Sequence, residues 1–545
     1  MKIKTEPVEV WQEYQDGLGF NSVIGLEETV KINNDFYNGR QWEGVNAPDL
    51  DKPVFNIIKP PVNYYVAQLV SDDVSANIEV EAGAGAGYAP PTGNILSPEE
   101  YLGKVMGQAV AETLEQTEAA DKHRLLLKCE ALDGDMALHS YFDTTVDTGQ
   151  TAIGLIRTEI IHNTDIFFGD TSSSEVERQP YIIIRQRLPL LTVMEEARAN
   201  GIDPTAIHAD NEVMYEAEDT SKQYTTVLTK YYKAKTEGAA GKKTVHYLRC
   251  TETCLLKKPT DLGYTLYPVA YSCWEKQKGS YHGISPVTAQ INNQIMLNKM
   301  YALASLDRQN YSFPKVLYDG SRLTEGWNPN PGAAIETNGS PKDVLADFRP
   351  ADMSAQVLQL IGDIEERTKS SMGVYDAALG NAKPDNTSAI LAVQQAAATP
   401  LDLQRQDFHR FVECCVRIWL DMMSVDYGVR RVAVELMQAD GSTASVPVDF
   451  DYADIGRFRW RLHIDIGAAA RWSEILHVQM LDNLLRANII DSEGYLEALP
   501  EGYLPGKGKL LQRLRDARQA QMQAQMQPQQ QASLPEKNLQ LDTLM

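Results

Sequence analysis

The sequence predicts an α+β fold that is predominantly helical and contains at least two domains. Its 545 residues exceed what one hydrophobic core holds, because single cores stop growing at about 250 to 300 residues. Long stretches in both halves of the chain repeat apolar residues at helical spacing. Between them, residues 151–275 are enriched in Val, Ile, Thr and Tyr, which favour strands.

Composition and charge bound the class of protein. The chain is 43% hydrophobic and 23% charged, which is ordinary for a globular protein and excludes wholesale disorder. Its net charge of -23 argues against a surface that wraps nucleic acid tightly, because phosphate binding relies on clustered Lys and Arg. An acidic wall repels phosphate, so the same charge suits a passage through which DNA moves. Composition leaves both possibilities open.

Six cysteines are dispersed through the chain, which indicates a reducing compartment rather than a disulfide framework. Cys250 and Cys254 lack a second pair at zinc-ligand spacing, so we interpret them as buried thiols rather than a metal knuckle. The first fifteen residues lack the apolar core of a signal peptide, and no apolar run has the length that spans a bilayer. We expect synthesis in the cytoplasm and no membrane span.

The first third of the chain reads as helices with one strand. Apolar spacing from Val8 to Tyr37 predicts helices broken near Gly17 and Gly19. Three further elements are predicted: a helix at Val62 to Leu69, a strand at Asn77 to Ala82, and one long helical stretch from Pro98 to Phe142. The glycines of residues 83–97 do not fit the dinucleotide spacing GxGxxG, so this segment is expected to be a flexible loop.

Residues 151–275 predict a sheet with one helix. The strands are TAIGLIRTEII, DIFFGD, YIIIRQRL, YTTVLTKYYKAK, KTVHYLRC and YTLYPVAYSCW. The helix LTVMEEARANG interrupts them and stops at Gly201. Most intervening segments are too short for parallel crossovers, so antiparallel pairing is expected.

Two long helices follow. Ser285 and Pro286 mark a helix start, and neither Gly nor Pro occurs from Val287 to Phe313. A turn-rich segment then leads to a second helix, Asp352 to Met372. Its predicted inward stripe consists of Val357, Ile361, Ile364 and Thr368.

A Gly-, Asn- and Pro-containing loop from Gly373 to Thr387 precedes a third helix, with a kink expected at Thr399 to Asp402. This helix carries an apolar stripe and is interpreted as a core strut that lies at or supports a subunit interface. The stripe consists of Phe408, Phe411, Val412, Cys415, Ile418, Trp419, Met422 and Met423.

The remainder predicts strands near RRVAVELM and RWRLHIDIG and helices from Arg471 to Ala498. The glutamine-rich tail after Arg518 has too little apolar surface to hold a core, so we expect disorder there.

Catalytic motifs are missing from the sequence: HExxH, GxSxG and Walker A do not occur, and GYLPGKGK departs from the Walker spacing. One acidic cluster is a candidate metal site for nuclease or phosphoryl-transfer chemistry. It consists of Asp133, Asp135, Asp143 and Asp147 near His139. No fixed ligand spacing is recognisable, so we favour a solvated turn between helices.

Three basic residues, Lys299, Arg308 and Lys315, lie along and beyond the first long helix. They either face nucleic acid or occupy ordinary solvated positions, and the sequence does not decide between these.

The order of these elements resembles the portal (head-to-tail connector) proteins of tailed bacteriophages. The resemblance is carried by GISP, a long helix, a turn-rich insert, a second helix, a loop, and TSAILAVQQAAATPLDLQRQDFHRF leading into a long helix. NIIKPPVNYYVAQLVSDDVSANIEVEA and RQRLPLLTVMEEARANG are similar to the wing region of portals from short-tailed phages. The resemblance spans about residues 56–428 and rests on element order and loose motifs.

The resemblance implies a ring, usually of twelve subunits, at one capsid vertex of the virion. Double-stranded DNA would pass through it without sequence specificity, driven by the terminase motor during packaging and later ejected. The implied partners are further copies of the chain, the large terminase subunit, the major capsid and scaffolding proteins and the tail adaptors. No cofactor, metal or enzymatic activity is implied.

Mapped onto this sequence, the resemblance implies eight regions. They are a wing at 1–282, a first stem helix at 283–311, a clip at 312–351, a second stem helix at 352–372, a tunnel loop at 373–387, a long kinked helix with wing strands at 388–470, crown helices at 471–518 and a flexible tail at 519–545. Asp376, Asn381, Lys383, Asp385 and Asn386 would line the DNA channel from the tunnel loop, and Lys299, Arg308 and Lys315 from the stem or clip.

Two other classes of function stay open: a metal-dependent nuclease or phosphoryl-transfer enzyme using the Asp133 to Asp147 cluster, and a structural head protein without a channel.

Overall fold

A computed structural model of the chain forms two compact units, residues 1–465 and 466–545. The structure describes residues 3–48, 50–70, 74–81, 97–150, 152–210, 223–235, 243–312, 315–323, 336–348, 355–374, 399–437, 443–457, 459–466, 478, 480–487, 489–499, 510 and 513. Helix and strand are mixed among these residues.

Eleven helices are labelled among the described residues. They are α1 Pro7–Val23, α2 Leu26–Tyr37, α3 Lys59–Leu69, α4 Pro98–Gln116, α5 Ala119–Asp133, α6 Leu190–Ala199, α7 Ile291–Ser312, α8 Pro341–Val344, α9 Ala355–Ser371, α10 Asp402–Asp426 and α11 Ser492–Ala498. Residues 480–486 are also helical.

Fourteen strands are labelled in the same ranges. They are β1 Val74–Val80, β2 Asp135–Asp143, β3 Leu155–Ile161, β4 Ile166–Phe168, β5 Tyr181–Pro189, β6 Tyr224–Lys235, β7 Lys243–Cys250, β8 Leu255–Asp261, β9 Val269–Cys273, β10 Lys315–Tyr318, β11 Leu345–Phe348, β12 Val429–Met437, β13 Thr443–Asp451 and β14 Trp460–Ile466.

The predicted break near Gly17 and Gly19 is wrong, because α1 continues through both glycines. The chain instead turns at Gly25, whose φ of 65° lies in the left-handed region that glycine adopts without strain. Gly17 has a packing role: a Cβ there would lie 2.8 Å from Phe167 Cδ1. The glycine therefore lets α1 approach β4 closely.

The predicted single helix from Pro98 to Phe142 is also wrong. It divides into α4 and α5 at Glu118, which adopts a left-handed φ of 52°. α5 then ends at Gly134, with φ 93°, and the chain enters β2. In the sequence the apolar residues of β2 continue the helical pattern, since a short apolar run does not distinguish a buried strand from a helix.

A five-stranded sheet of order β4-β5-β6-β7-β8 forms the centre of the strand-rich region, and all its pairings are antiparallel as predicted. One face packs against Val10 and Tyr14 of α1. The other face packs against Val193 and Ala197 of α6. β8, in LLKKPTD, was not predicted.

The two cysteines near the end of β7 lie in different cores. Cys250 belongs to the cluster on the α1 side and Cys254 to the cluster on the α6 side. Both thiols are buried, so their interpretation as buried thiols is confirmed.

A second sheet of order β3-β2-β9 supports α10. All eight predicted stripe residues of α10 are buried, and Trp419 Nε1 donates a hydrogen bond of 3.0 Å to Ser140 Oγ on β2. The prediction of a core strut is confirmed. Because this stripe packs inside the chain, it is not available as a contact surface between subunits.

The remaining strands form three two-stranded sheets, β1-β14, β10-β11 and β12-β13. The strands predicted at RRVAVELM and RWRLHIDIG are confirmed as β12 and β14, whereas β13 was missed. The helices predicted from Arg471 to Ala498 are present at residues 480–486 and in α11. No helix in the described part of the chain is both long and apolar enough to cross a membrane.

Candidate functional site

The two long helices predicted from the sequence form an antiparallel pair. α7 has 22 residues and α9 has 17, which correspond to about 33 and 26 Å. Asn293 Nδ2 donates to Thr368 Oγ1 at 3.2 Å, and Tyr301 OH donates to Glu365 Oε1 at 3.0 Å. Burial and this carboxylate raise the pKa of Tyr301, so the phenol keeps its proton. The seam between the helices is therefore polar.

The side chains of α9 follow the predicted stripe. Ile361 and Thr368 are buried, and Val357 and Ile364 are half-buried. The stripe prediction is confirmed for the described part of the helix, Ala355–Ser371; the predicted start at Asp352 lies outside the described residues.

α7 and the turn before it bury a ladder of three amides, and α7 also buries Leu297 and Ala302. Gln290, Gln294 and Asn298 follow each other at intervals of four residues, and all three are buried. Gln294 Nε2 donates to Asn298 Oδ1 at 3.0 Å and to Phe55 O at 2.9 Å. Asn298 Nδ2 donates to Gln41 Oε1 at 2.7 Å. The bonds to Phe55 and Gln41 fix α7 to the segment that joins α2 and α3.

The end of the ladder nearest α9 reaches that helix directly. Gln290 Nε2 donates to Ser371 Oγ at 3.0 Å, close to the point where α9 ends. The backbone N–H of Ile57 donates to Gln294 Oε1 at 2.9 Å. Sequence reasoning missed this ladder, although the four-residue spacing of Gln and Asn in QINNQIMLN was a visible signal.

A buried polar network lies before the start of α7. The carboxylate of Asp135 accepts from the Gly283 N–H at 2.6 Å and lies 2.7 Å from His282 Nδ1. Asn163 Nδ2 donates to the same carboxylate at 3.2 Å. The side chain of Asp135 is fully buried, and such a group is stable inside a protein only when it is hydrogen-bonded. The GISP segment is therefore tied to the first residue of β2.

Gly283 also permits a close crossing of two backbones. A Cβ on Gly283 would lie 2.7 Å from Gly134 O and 2.6 Å from Cys273 Cβ. Ser285 Oγ donates to Ala131 O at 2.7 Å and accepts from the Val287 N–H at 3.1 Å. The predicted helix start at Ser285 is thus a turn anchored on α5, and a 3-10 turn at Thr288–Gln290 precedes α7.

α9 ends in a defined cap. Gly373 has a left-handed φ of 67° and donates to Ser370 O, while Val374 donates to Lys369 O, both at 3.0 Å. This pair of bonds is the Schellman arrangement, in which glycine is favoured. Tyr65 OH donates to the carbonyl of Met372. Burial raises the pKa of Tyr65, so it stays a donor.

The described residues on either side of segment 375–398 lie in contact. A Cβ on Gly373 would lie 3.2 Å from Pro400 Cβ, and Leu401 next to that proline is buried. At the kink expected at Thr399 to Asp402, the structure has a 3-10 turn, Thr399–Leu401, that leads into α10. The helix expected before this kink lies outside the described residues.

The proposed channel residues of that segment lie outside the described residues. They are Asp376, Asn381, Lys383, Asp385 and Asn386. Their predicted role stays a prediction.

The three basic candidates are partly located. Lys299 and Arg308 are exposed on α7, and no ion pair to either is found among the described residues. Lys315 begins β10, and its backbone pairs with Phe348 of β11. The structure does not gather the three into one patch: Arg308 lies nine residues beyond Lys299 on the same helix, and Lys315 lies after the helix end.

The residues of the acidic cluster do not lie close together in the fold. Asp135 and Asp143 occupy opposite ends of β2, which places them about 26 Å apart. Asp147 accepts from the Gly149 N–H in an exposed turn. His139 is buried and lies 2.8 Å from Tyr231 OH.

The favoured interpretation of the cluster as a solvated turn between helices is therefore wrong for Asp133, Asp135, His139 and Asp143, which lie in α5 or β2 and are half-buried or buried; only Asp147 lies in an exposed turn. The reason is the strand β2, which was read as helix. The geometry does not support a nuclease centre built from this cluster.

Large apolar side chains are exposed on the helix pair. Met296 and Leu303 lie on the side of α7 opposite the amide ladder, and Leu303 is 59% exposed. Leu358 and Leu360 are exposed on α9. Exposed apolar groups on adjacent helices are typical of protein contact surfaces.

Comparison with known proteins identifies the family. No curated protein matches the chain. The family model for the phage P22-like portal protein matches residues 194–545, about two thirds of the chain. The match covers α6 to the C-terminal residue and therefore includes both helices of the pair, their polar seam and segment 375–398. This chain belongs to the family of phage P22-like portal proteins.

Proposed function

We propose that copies of this portal protein form a ring whose channel conducts double-stranded DNA at one vertex of the capsid. The observation that carries the proposal is the family match together with the helix pair α7–α9, which the match covers. The membership supports a structural role in the phage head rather than catalysis. The net charge of -23 is compatible with a wall along which DNA slides without adhering.

In this proposal α7 and α9 are the two stem helices, and the β10-β11 hairpin belongs to the clip. The sheets and helices up to residue 282 form the wing. The segment that leaves α9 at Gly373 is the tunnel loop, and residues 471–518 contribute to the crown. The large terminase subunit would dock on the ring during packaging and the tail adaptors afterwards, and the major capsid and scaffolding proteins would hold it in the shell.

Contacts between neighbouring copies are assigned to the outward side of α7 and α9. The stripe of α10 is internal, whereas Met296, Leu303, Leu358 and Leu360 are solvent-exposed in a single chain. Burying such groups against a neighbour releases about 25 cal/mol per Å² of apolar area. The polar side of α7 is already satisfied by the ladder, so it offers little to a neighbour.

The variant Leu303→Glu tests this assignment. A charge at a buried contact is costly, so we expect the ring mass in mass photometry to fall to that of monomers or small oligomers. The matched control is Leu191→Glu on α6, where the leucine is 74% exposed, and it should keep the ring. If Leu303→Glu keeps the full ring mass, as Leu191→Glu is expected to do, α7 is not a subunit contact.

The tunnel-loop assignment rests on sequence and on the contact between the described residues on either side of segment 375–398. Residues 373–387 carry only the charges of Asp376, Lys383 and Asp385, too few to grip phosphates, so contact with DNA is expected to be transient and weakly salt dependent. Because Gly373 and Pro400 are in contact, the loop can change length without displacing α9 or α10.

Replacing residues 378–386 with a short Gly linker should leave ring mass unchanged and reduce the DNA content per particle. A Gly/Ser replacement of equal length is the control that separates loop length from loop residues. Normal DNA content in particles of the shortened variant would overturn the assignment, and so would loss of the ring.

A further inference from the structure

We propose that Cys129, Asp133 and His162 form a binding site for a thiophilic divalent metal ion, of which Zn²⁺ is the expected physiological example. The thiol, the carboxylate and the imidazole each offer one ligand atom, and these atoms lie within 4.8 Å of one another. None of the three is used by the helix pair or by segment 375–398.

The fold places these groups together from two separate elements. Cys129 and Asp133 are four residues apart at the end of α5, so they share one face of the helix. His162 follows β3 and precedes the 3-10 turn Asn163–Asp165. In a tetrahedral zinc site the donor atoms are about 3.3 to 3.7 Å apart. The side chain of His162 is exposed, so it is free to close the remaining distance of about 1 Å.

A fourth polar group points to a ligand independently. Asn163 is buried, and its Oδ1 has no hydrogen-bond partner among the described residues. Its Nδ2 donates to the backbone Asp133 O at 2.9 Å and to Asp135 Oδ2 at 3.2 Å, and Asn163 lines the same cavity as the three ligands. Buried oxygens without a partner are rare and require an explanation. A bound metal or its water would supply the missing partner.

The surroundings admit a cation. The three ligands and Asn163 line a cavity of about 1630 Å³ between α1, α2 and α5. Acidic residues outnumber Lys and Arg along its wall by seven to four. Asn34 Nδ2 donates to Asp133 Oδ1 at 2.7 Å, which orients the carboxylate as second-shell hydrogen bonds orient metal ligands.

The donor set selects the metal. A thiolate is a soft ligand that favours zinc and related ions over Mg²⁺ and Ca²⁺, which take oxygen ligands. The bound ion would tie the end of α5 to the turn after β3.

The test uses the full-length protein, stripped with a chelator and titrated with Co²⁺. A single Co²⁺ per chain should bind and produce thiolate-to-cobalt charge-transfer absorption, and Zn²⁺ but not Mg²⁺ should remove it. Cys129→Ser should abolish the absorption. His162→Ala should lower affinity by more than about a hundredfold, and Asn34→Ala by about ten- to a hundredfold, the range for second-shell changes.

Cys414→Ser is the matched control, since Cys414 is a half-buried helical cysteine on α10, and it should leave the absorption unchanged. His162→Ala keeps the test decisive if Cys129→Ser does not fold, because its side chain is exposed. The proposal is overturned if the wild-type chain gives no absorption, if Cys129→Ser retains it, or if His162→Ala binds Co²⁺ as tightly as wild type.

Discussion

α7 and α10 are helices of similar length, 22 and 25 residues, that are held in opposite ways. α10 buries an unbroken apolar face against the β3-β2-β9 sheet. α7 and the turn before it bury Gln290, Gln294 and Asn298, whose side-chain amides donate to Ser371, Phe55 and Gln41 respectively. Hydrophobic burial is non-directional, whereas a satisfied polar network specifies one arrangement. α10 therefore supplies stability, and α7 is fixed in register and orientation.

This difference matches the roles proposed for the two helices. A strut inside the wing needs only to be buried. A stem helix that repeats around a ring must present the same outward face in every copy, and an amide ladder on its inner side fixes that face.

The largest expected effect is on α10. Trp419→Ala removes a side chain that is 1% exposed together with its hydrogen bond to Ser140, so the free energy of unfolding should fall by about 3 to 5 kcal/mol. Leu403→Ala on the same helix, where the leucine is 70% exposed, should change it by less than about 0.5 kcal/mol. Denaturant unfolding measures both, and equal effects would mean that the stripe does not carry the stability.

A smaller effect is expected on α7. Gln294→Ala leaves the Ile57 N–H, Phe55 O and Asn298 Oδ1 without their partner, which should cost about 1 to 3 kcal/mol. The control is Asn292→Ala, an exposed position of the same helix. Hydrogen exchange of α7 amides should increase in the first variant alone. Unchanged exchange would show that the ladder does not hold the helix.

The smallest expected effect is on the pH dependence of stability, and it comes from a buried carboxyl group in the core beneath α10. Burial raises the pKa of Glu130 on α5 to about 8, so between its ordinary value and pH 8 the folded chain binds a proton that the unfolded chain has lost. Stability from this group therefore falls as pH rises through that window. Burial lowers the pKa of His123 and of His139 to about 4, so both are neutral above pH 6.5.

The free energy of unfolding of Glu130→Gln should therefore rise relative to that of wild type between pH 6.5 and 8, by at most about 2 kcal/mol. The control is Glu115→Gln, an exposed position on α4, whose curve of stability against pH should run parallel to that of wild type. Thermal unfolding at several pH values measures the three curves. A Gln variant whose curve stays parallel to that of wild type contradicts a neutral, buried Glu130.

The same contrast explains what the sequence could predict. The face of α10 was predicted residue by residue, because apolar periodicity reports burial directly. The ladder of α7 was missed, because the same Gln and Asn residues on a solvated helix produce the same pattern. β2 was read as helix, since its apolar run lacks alternation. The network at Asp135 joins residues more than a hundred positions apart, and only the tertiary fold brings them together.

Electron microscopy of the purified full-length protein tests the proposed ring. We expect closed rings with one central opening, in which α7 and α9 run beside the opening and the sheets lie outside them. Particles without an opening, or a chain that stays monomeric at the concentrations used, would contradict it.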